Sequence, residues 1–224
     1  MAEHIGVTGP AGGVATITLS RPAKKNALSI ALRDEVTDAI ARLSDDQAVK
    51  VIVVTGAGET FSAGFDLGEF RMLNDPEQAR VLWESSDRFH RAVLECPLPT
   101  IAAVNGPALA GGFDLAVLCD VRIASRTARF AHPEIAFGDV VYGPLREIVG
   151  GGVARELCLT GREVGAEEAL ALRLVSAVVA PDELAVEVAR WTEQIVRAPR
   201  ELLLRTKQKI LRRADIRPER TLDL

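Results

Sequence analysis

A short run of β-branched residues constrains the fold of this 224-residue chain more than any other feature. Residues 51–54 read Val-Ile-Val-Val, and Gly56 and Gly58 follow them. A continuous run of this kind is typical of a strand buried on both faces, and such strands occur in parallel sheets that helices cover. The run therefore predicts an α/β protein with a parallel sheet at its centre.

The segments before this run support the same interpretation. Residues 15–19 alternate threonine with apolar residues and predict a strand, and Ser29 can cap a helix that follows it. The apolar stripe of that helix consists of Leu32, Val36, Ile40 and Leu43. Strand, helix and strand in this order suggest parallel pairing through a crossover.

The alternation of strands and helices continues towards the C-terminus. Residues 78–96 predict a second helix, and residues 101–104 predict another buried strand. A further strand is predicted at residues 120–124, and a late amphipathic helix around residues 184–195.

Composition and charge exclude several classes of protein. Hydrophobic residues make up 48% of the chain, which is enough for a sizeable core. A net charge of -4 offers no basic surface for nucleic acid, and no apolar run is long enough to span a membrane. Residues 1–10 do not form a secretory signal. Three scattered cysteines without metal-ligand spacing predict reduced thiols, no metal site and a cytoplasmic protein.

Two glycine-containing turns follow buried strands. They are residues 62–66, Ser-Ala-Gly-Phe-Asp, and residues 108–112, Ala-Leu-Ala-Gly-Gly. Each can point an unpaired backbone N–H into a shared cleft, and a helix that begins at Gly111 would add its positive end. Two such donors would form an oxyanion hole. Taken alone, glycine segments of this kind are more often plain tight turns.

Two carboxylates follow the second glycine turn. Asp114 stands at the start of the predicted helix after Gly112, and Glu134 follows in the sequence His-Pro-Glu. As a pair facing one cleft they could divide the roles of base and acid. Either one alone is more often a solvated or helix-capping group.

Three other polar residues are interpreted structurally. Asp66 is expected to cap a helix, because Glu69 follows it at capping-box spacing. His90 and His132 are interpreted as structural or surface residues, since the sequence offers no evident partner for either.

An ordered set of segments resembles the crotonase superfamily, the enoyl-CoA hydratases and isomerases. The segments are Ile-Thr-Leu-Ser-Arg-Pro at 17–22, Asn-Ala-Leu at 26–28, Phe-Ser-Ala-Gly-Phe-Asp-Leu at 61–67, Ala-Ala-Val-Asn-Gly-Pro-Ala at 102–108, Gly-Gly at 111–112, Cys-Asp at 119–120, Pro-Glu at 133–134, Leu-Thr-Gly-Arg at 159–162 and Ala-Glu-Glu-Ala at 166–169. They extend from about residue 14 to residue 209 in the family's order and spacing. Such a set is more specific than any one motif, and it favours a functional interpretation of the glycine turns and the carboxylates.

The resemblance implies a fold and an assembly. We expect a crotonase-type spiral of strand–strand–helix turns at residues 1–182, then a C-terminal helical segment at 183–224 that is shorter than usual for the family. A shorter segment would cover the acyl pocket less completely, which implies low activity or a pocket completed by a neighbouring subunit. The charge-rich end of the segment is expected to be frayed. The resemblance also implies a homo-oligomer, either a trimer or a dimer of trimers.

The resemblance also implies roles for individual residues. The backbone N–H groups of Phe65 and Gly111 would form the oxyanion hole, and Asp114 and Glu134 match the two acid–base carboxylates of the family's hydratases. Because a helix N-terminus favours a charged carboxylate, our hypothesis is that Asp114 acts as the base and Glu134 as the acid that protonates the α-carbon. The positions that match the CoA-binding region of the family are Lys24, Lys25, Ala27, Ala63, Asp66 and Leu67. No separate cofactor is implied, because the substrate carries the CoA.

Some positions depart from the family pattern. Asp114 stands where hydratases usually have glutamate. The dienoyl-CoA isomerases of the family also have aspartate at this position, but they carry a further aspartate where this chain has Tyr142. Phe65 is bulkier than the usual alanine, and Ala110 replaces a common glycine. The resemblance implies a hydratase that adds water across the 2,3-double bond of an acyl-CoA thioester. The alternatives are a double-bond isomerase on the same scaffold and a non-catalytic acyl-CoA-binding protein.

Overall fold

The structure, a computed structural model, describes residues 4–213. Its strands are β1 (Ile5–Ala11), β2 (Val14–Leu19), β3 (Val51–Gly56), β4 (Thr100–Val104), β5 (Ala108–Leu109), β6 (Val121–Ser125), β7 (Arg129–Ala131), β8 (Val164–Gly165) and β9 (Ala177–Val179). Its α-helices are α1 (Ile30–Asp45), α2 (Pro76–Leu94), α3 (Gly111–Leu118), α4 (Gly143–Thr160), α5 (Ala166–Ala171), α6 (Leu184–Val196) and α7 (Arg200–Arg213). Short 3-10 helices lie at Pro22–Lys24, Glu69–Asn74, Pro133–Ala136 and Pro181–Glu183. The end of the chain that was expected to be frayed lies outside the described residues.

The main sheet has six strands in the order β1-β2-β3-β4-β6-β9, and a smaller sheet has the order β5-β7-β8. From β2 to β9 every neighbouring pair in the main sheet is parallel, while β1 pairs antiparallel with β2. From β4 onwards the chain places one strand in each sheet and then a helix, first as β4, β5 and α3 and then as β6, β7 and α4. This arrangement confirms the predicted α/β fold of strand–strand–helix turns.

The predicted crossover is confirmed in detail. The Ser29 hydroxyl accepts the Leu32 N–H and caps α1. After α1 the chain returns as β3, which pairs parallel with β2 in a register that sets Val14 beside Val51. The β-branched residues of β3 are buried as their sequence predicted.

The main sheet has apolar side chains packed on both faces. On one face, Val51, Val53 and Ile101 pack against Leu184 and Val188 of α6. The other face belongs to a larger core that extends to α1, α2 and α3. Burial of each large apolar side chain contributes about 1.5–3 kcal/mol, so both faces stabilise the sheet. The division between a spiral core that ends at residue 182 and a C-terminal helical segment stays a prediction. α6, which lies in that segment, packs directly on the sheet.

A buried ion pair ties α7 to the same sheet. The Lys207 side chain is only 3% exposed, and its Nζ lies 2.5 Å from Oδ1 and 2.6 Å from Oδ2 of Asp120. Oδ2 of Asp120 also accepts hydrogen bonds from the N–H and the hydroxyl of Thr100. A buried ammonium group needs such partners, because an unpaired charge in the interior is costly.

Two expectations from composition can be compared with the structure. Within residues 4–213, no helix has both the length and the apolar character needed to cross a membrane. Cys96, Cys119 and Cys158 are buried and free, as expected for reduced thiols. Burial, reinforced by the charge of Asp120, raises the pKa of Cys119 to about 12.

Candidate active site

The two glycine turns lie side by side, as the sequence predicted. The Ser62 carbonyl accepts the Leu109 N–H at 2.9 Å, and the Pro107 carbonyl accepts the Phe61 N–H at 3.1 Å. A side-chain carbon on Gly64 would lie only 3.1 Å from the Gly111 nitrogen. The two turns therefore form one continuous edge of a shared cleft.

Two backbone N–H groups on this edge are available to a ligand. Gly111 is the first residue of α3, where a backbone N–H has no acceptor within the helix. In the part of the chain that the structure describes, neither the Gly111 N–H nor the Phe65 N–H donates to a protein acceptor, whereas the adjacent Ala110 N–H donates to the Ala131 carbonyl. The structure thus brings together the two donors that the sequence suggested.

Glycine is required where the two turns meet. A side-chain carbon on Gly112 would lie 2.3 Å from the Ser62 carbonyl oxygen, and one on Gly111 would lie 2.9 Å from the Phe65 ring. Both distances are shorter than van der Waals contact. The absence of these side chains allows α3 to begin directly against the first turn.

The buried guanidinium group of Arg33 supports the turn that contains Phe65. Arg33 is fully buried, its Nη1 donates to the Leu28 carbonyl at 2.7 Å, and its guanidinium lies 4.5 Å from the centre of the Phe65 ring. Leu28 in turn pairs with Phe65 in a parallel bridge. Burial lowers the pKa of Arg33 to about 10, so the group is still charged at neutral pH. Arg33 therefore holds both the Leu28 backbone, which pairs with Phe65, and the Phe65 ring.

Both predicted carboxylates reach a cavity of about 810 Å³ beside this edge. Asp114 lies in the first turn of α3, and Glu134 lies in the 3-10 helix Pro133–Ala136. The aromatic residues of the cavity wall are Phe65, Phe70, Trp83 and Phe137. A largely apolar cavity with a few convergent polar groups is the usual form of a small-molecule site. Asp139 also lines the cavity, and no pattern in the sequence pointed to it.

Two histidines lie beside the carboxylates and have partners there that the sequence did not reveal. His132 Nδ1 lies 3.0 Å from Oε1 of Glu134 and 3.7 Å from Oδ1 of Asp114. His90 Nε2 lies 3.9 Å from Oδ2 of Asp114, and its Nδ1 lies 2.8 Å from the Ser86 carbonyl oxygen. Both rings are buried. The one signal in the sequence was the position of His132, two residues before Glu134 and directly after a buried strand.

The carboxylates give the bottom of the cavity a negative field. Burial disfavours a charged His132, but the hydrogen bond to Glu134 and the charges of Asp114 and Glu134 outweigh it and raise the pKa of this histidine. Burial, together with the same two charges, raises the pKa of Cys158 to about 11. The site therefore favours protonated groups next to its acids.

The same cluster has donor atoms that could hold a metal ion. One ligand atom each from Asp114, His132 and Glu134 lies within 4.8 Å of the others. Because Nδ1 of His132 is already engaged by Glu134, we interpret the cluster as a group that shares a proton. The expectation that the protein uses no metal and no separate cofactor stays a prediction.

The residues matched to CoA binding lie along the rim of the site. The Lys25 carbonyl accepts the Ala63 N–H at 3.0 Å, which sets the lysine loop against the first glycine turn. Lys24 and Lys25 are exposed, Ala27 is buried behind them, and Ala63 lines the cavity. Leu67 also lines the cavity and is 68% exposed.

Asp66, the last residue of this set, does not cap a helix as predicted. Its carboxylate accepts hydrogen bonds from Arg21 at 3.0 Å and from the Gly68 N–H at 3.1 Å, and Gly68 is the residue that precedes the 3-10 helix. The Glu69 carboxylate, which a capping box would turn back to Asp66, accepts the Ile30 N–H instead. Burial alone would raise the pKa of Asp66. The hydrogen bonds from Arg21 and Gly68, together with the charges of Arg21 and Lys24, outweigh burial, so the pKa is lowered.

Known proteins share both the sequence and the fold. Residues 9–223 match the family described as enoyl-CoA hydratase/isomerase. A short-chain-enoyl-CoA hydratase from Clostridium acetobutylicum is 40% identical over 178 residues, which are 77% of this chain and 68% of that protein. A crotonyl-CoA hydratase from Syntrophomonas wolfei is 37% identical over 188 residues, which are 82% of this chain and 72% of that protein. The crystal structure of an enoyl-CoA hydratase from Bacillus anthracis superposes with a TM-score of 0.87 at 33% identity, covering 93% of this chain and 82% of that one. The chain therefore belongs to the enoyl-CoA hydratase/isomerase family.

Proposed function

We propose that the protein is an enoyl-CoA hydratase, which adds water across the 2,3-double bond of an acyl-CoA thioester. The observation that carries the proposal is that the backbone N–H groups of Phe65 and Gly111, which donate to no acceptor among residues 4–213, meet two carboxylates in one apolar cavity. The relatives named as hydratases support this activity over isomerisation.

The Phe65 and Gly111 N–H groups would bind the thioester oxygen. Their hydrogen bonds strengthen as negative charge develops on that oxygen, and the N-terminal end of α3 adds to the same field. Withdrawal of charge makes the β-carbon electrophilic. Loss of one donor of this kind typically costs about 2.7–4 kcal/mol of transition-state stabilisation.

Asp114 and Glu134 would handle the protons. Asp114 takes a proton from the attacking water, whose oxygen bonds to the β-carbon, and Glu134 delivers a proton to the α-carbon. Oδ1 of Asp114 and Oε2 of Glu134 are buried and accept no hydrogen bond from the described residues. Both oxygens are therefore available for proton transfer, and acid–base groups of this kind contribute roughly 10²–10⁴-fold in rate.

The CoA would follow the rim. Lys24 and Lys25 would meet its phosphates, while Ala27, Ala63, Asp66 and Leu67 would contact the rest of the carrier. This division suits a chain with a net charge of -4, because only the rim needs to be basic to bind an anionic ligand.

We also propose that the protein is a cytoplasmic homo-oligomer, a trimer or a dimer of trimers. Phe137 and Leu67 at the cavity are 69% and 68% exposed, and large exposed apolar side chains grouped in this way mark contact surfaces. Sedimentation at several protein concentrations tests the assembly, and a monomer at every concentration would contradict it.

Product analysis tests the activity. Incubation with a 2-enoyl-CoA in ¹⁸O-labelled water should yield a 3-hydroxyacyl-CoA that carries the label, as measured by mass spectrometry. A shifted double bond without label would mean isomerisation. Binding of acyl-CoA without any product would mean a non-catalytic protein.

A further inference from the structure

The two oxygens of the Glu134 carboxylate have different surroundings. Oε1 lies 3.0 Å from Nδ1 of His132. Oε2 is buried and has no hydrogen-bond partner among the residues that the structure describes. One oxygen is therefore anchored to the protein and the other is left for a ligand.

The anchor itself is held rigidly. His132 is 1% exposed and follows directly after β7, so the direction of its backbone is set by the small sheet. Its ring stacks on Phe113, with centroids 4.6 Å apart and planes at 30°. Phe113 lies on α3, the helix that begins at the Gly111 donor and carries Asp114. The histidine thus fixes the position of Glu134 relative to the Gly111 N–H group and to Asp114.

We propose that His132 is a positioning residue for the acid of the reaction, holding Glu134 through Oε1 so that Oε2 presents the proton to the α-carbon. This inference rests on the proposed hydratase function. His132 acts through Glu134 and need not touch the substrate. Its N–H donates to Oε1 both in the resting carboxylate, whose charge raises the pKa of His132, and in the reacting form, in which Oε2 carries the proton that Glu134 delivers.

The surroundings of His132 make its effect dependent on pH. The titratable groups that face it are Glu134 on its own turn and Asp114 on α3. Cys158 on α4 is close enough to feel the charges of both carboxylates, and His90 on α2 lies 3.9 Å from Asp114. The carboxylates favour the imidazolium form, while the thiol stays neutral because its pKa is raised to about 11. Wild type should therefore show an ionisation in its rate profile that a variant without the imidazole lacks.

Two substitutions separate the hydrogen bond from the packing. His132→Phe keeps a flat ring against Phe113 but removes the N–H, whereas His132→Gln gives up the stacking but keeps an N–H donor. Positioning predicts that His132→Phe lowers kcat by roughly 10²–10⁴-fold, as loss of the acid would, with KM within a few fold. His132→Gln should recover most of that loss, without the wild-type ionisation in its pH profile.

A double variant tests whether the two residues act as a unit. Adding His132→Phe to Glu134→Gln should lower turnover no further than Glu134→Gln alone, because groups that act together are not additive. Equal impairment of His132→Gln and His132→Phe, or multiplied losses in the double variant, would overturn the proposal. Those results would indicate that the ring serves packing.

A measurement without turnover keeps this inference separable from the proposed function. In protein labelled with ¹⁵N-histidine, NMR titration should show a lower pKa for His132 in Glu134→Gln than in wild type, because the variant loses the carboxylate partner. If wild type hydrates no enoyl-CoA, the hydratase proposal fails whatever this titration shows. If the pKa of His132 does not change in the variant, the contact with Glu134 is absent and the positioning role fails.

Discussion

Ala110 has a backbone conformation that residues with a side chain rarely adopt. Its φ of 50° and ψ of -131° lie where glycine is favoured, and it is the residue directly before the Gly111 donor. Conformations of this kind cost about 1–3 kcal/mol. Ala110→Gly should relieve this strain. It also increases the conformational entropy of the unfolded chain, which lowers the free energy of unfolding by about 0.4–1 kcal/mol. The net free energy of unfolding should rise by about 1 kcal/mol, as measured by urea denaturation.

A second alanine of the same region provides the control. Ala116 lies inside α3 with ordinary helical geometry and is fully buried. Ala116→Gly should lose at least about 1 kcal/mol, because loss of a buried methyl group adds to the usual difference between the two residues in a helix. A loss of the same size for Ala110→Gly would show that the turn is not strained.

His132 also makes stability depend on pH. Its pKa is raised above the unfolded value of about 6.5, so its contribution is fully present below pH 6.5 and is lost as the pH rises through the folded pKa. The free energy of unfolding should therefore fall over that interval in wild type. The measurement is urea denaturation at a series of pH values.

His132→Phe provides the comparison for this pH dependence. The variant cannot bind the proton, so the difference in unfolding free energy between it and wild type should change with pH above about 6.5. A constant difference across that range would show that the folded protein does not raise the pKa of His132.

The positions and contacts of single residues in the site were only partly predictable. Asp114 and Glu134 could be selected because their positions match a family motif, and the structure brings both to one cavity. The contacts of His90 and His132 could not, since they join α2, α3 and the turn after β7, which are neighbours only in the folded chain. The conformation of Ala110 had one sign in the sequence, because glycine is common at this position in the family pattern.

The junction between the glycine turns positions the Phe65 and Gly111 N–H groups that we propose as the oxyanion hole. A methyl group on Gly112 would meet the Ser62 carbonyl oxygen at 2.3 Å, so Gly112→Ala must push α3 away from the first turn. Overpacking of this kind typically costs about 1–3 kcal/mol. We expect a folded but less stable protein in which kcat falls while Asp114 and Glu134 are intact. Circular dichroism and steady-state kinetics measure the two effects.

A glycine in open space is the matched control. Gly152 lies in α4, and a side-chain carbon there would meet nothing within 4 Å. Gly152→Ala should therefore leave kcat unchanged and leave stability equal or higher. Full activity of Gly112→Ala would contradict the proposal that the two glycine turns form the oxyanion hole.

The elements themselves were largely predictable, because local patterns decide them. The buried run of β3 and the Ser29 cap of α1 depend on neighbouring residues alone, and both are confirmed. The capping box at Asp66 failed for a tertiary reason. The Glu69 carboxylate that should complete it is bound to the start of α1, and Arg21 pairs with Asp66.

For the whole molecule, the question is how an acidic chain binds an anionic ligand. Lys24 and Lys25 are exposed on the loop beside the first glycine turn. Replacing both with alanine should weaken binding of a CoA thioester by a few fold, since exposed charge pairs are worth about 0–1 kcal/mol each. The loss should shrink at high salt. Titration calorimetry at two ionic strengths measures both.

A truncated ligand and a distant lysine serve as controls. A pantetheine thioester lacks the phosphates, so the double variant should bind it as wild type does. Lys209→Ala removes an exposed charge on α7 and should bind both ligands normally. Equal losses for CoA and pantetheine thioesters would show that the lysine loop does not contact the phosphates.

The most direct measurement is the turnover of a 2-enoyl-CoA by Glu134→Gln at saturating substrate, with ligand affinity measured on the same variant. The amide keeps the shape of the side chain but cannot deliver the proton. Turnover should fall by roughly 10²–10⁴-fold while affinity for a saturated acyl-CoA stays within a few fold. Turnover close to that of wild type would remove Glu134 from the chemistry and contradict hydration by the Asp114–Glu134 pair.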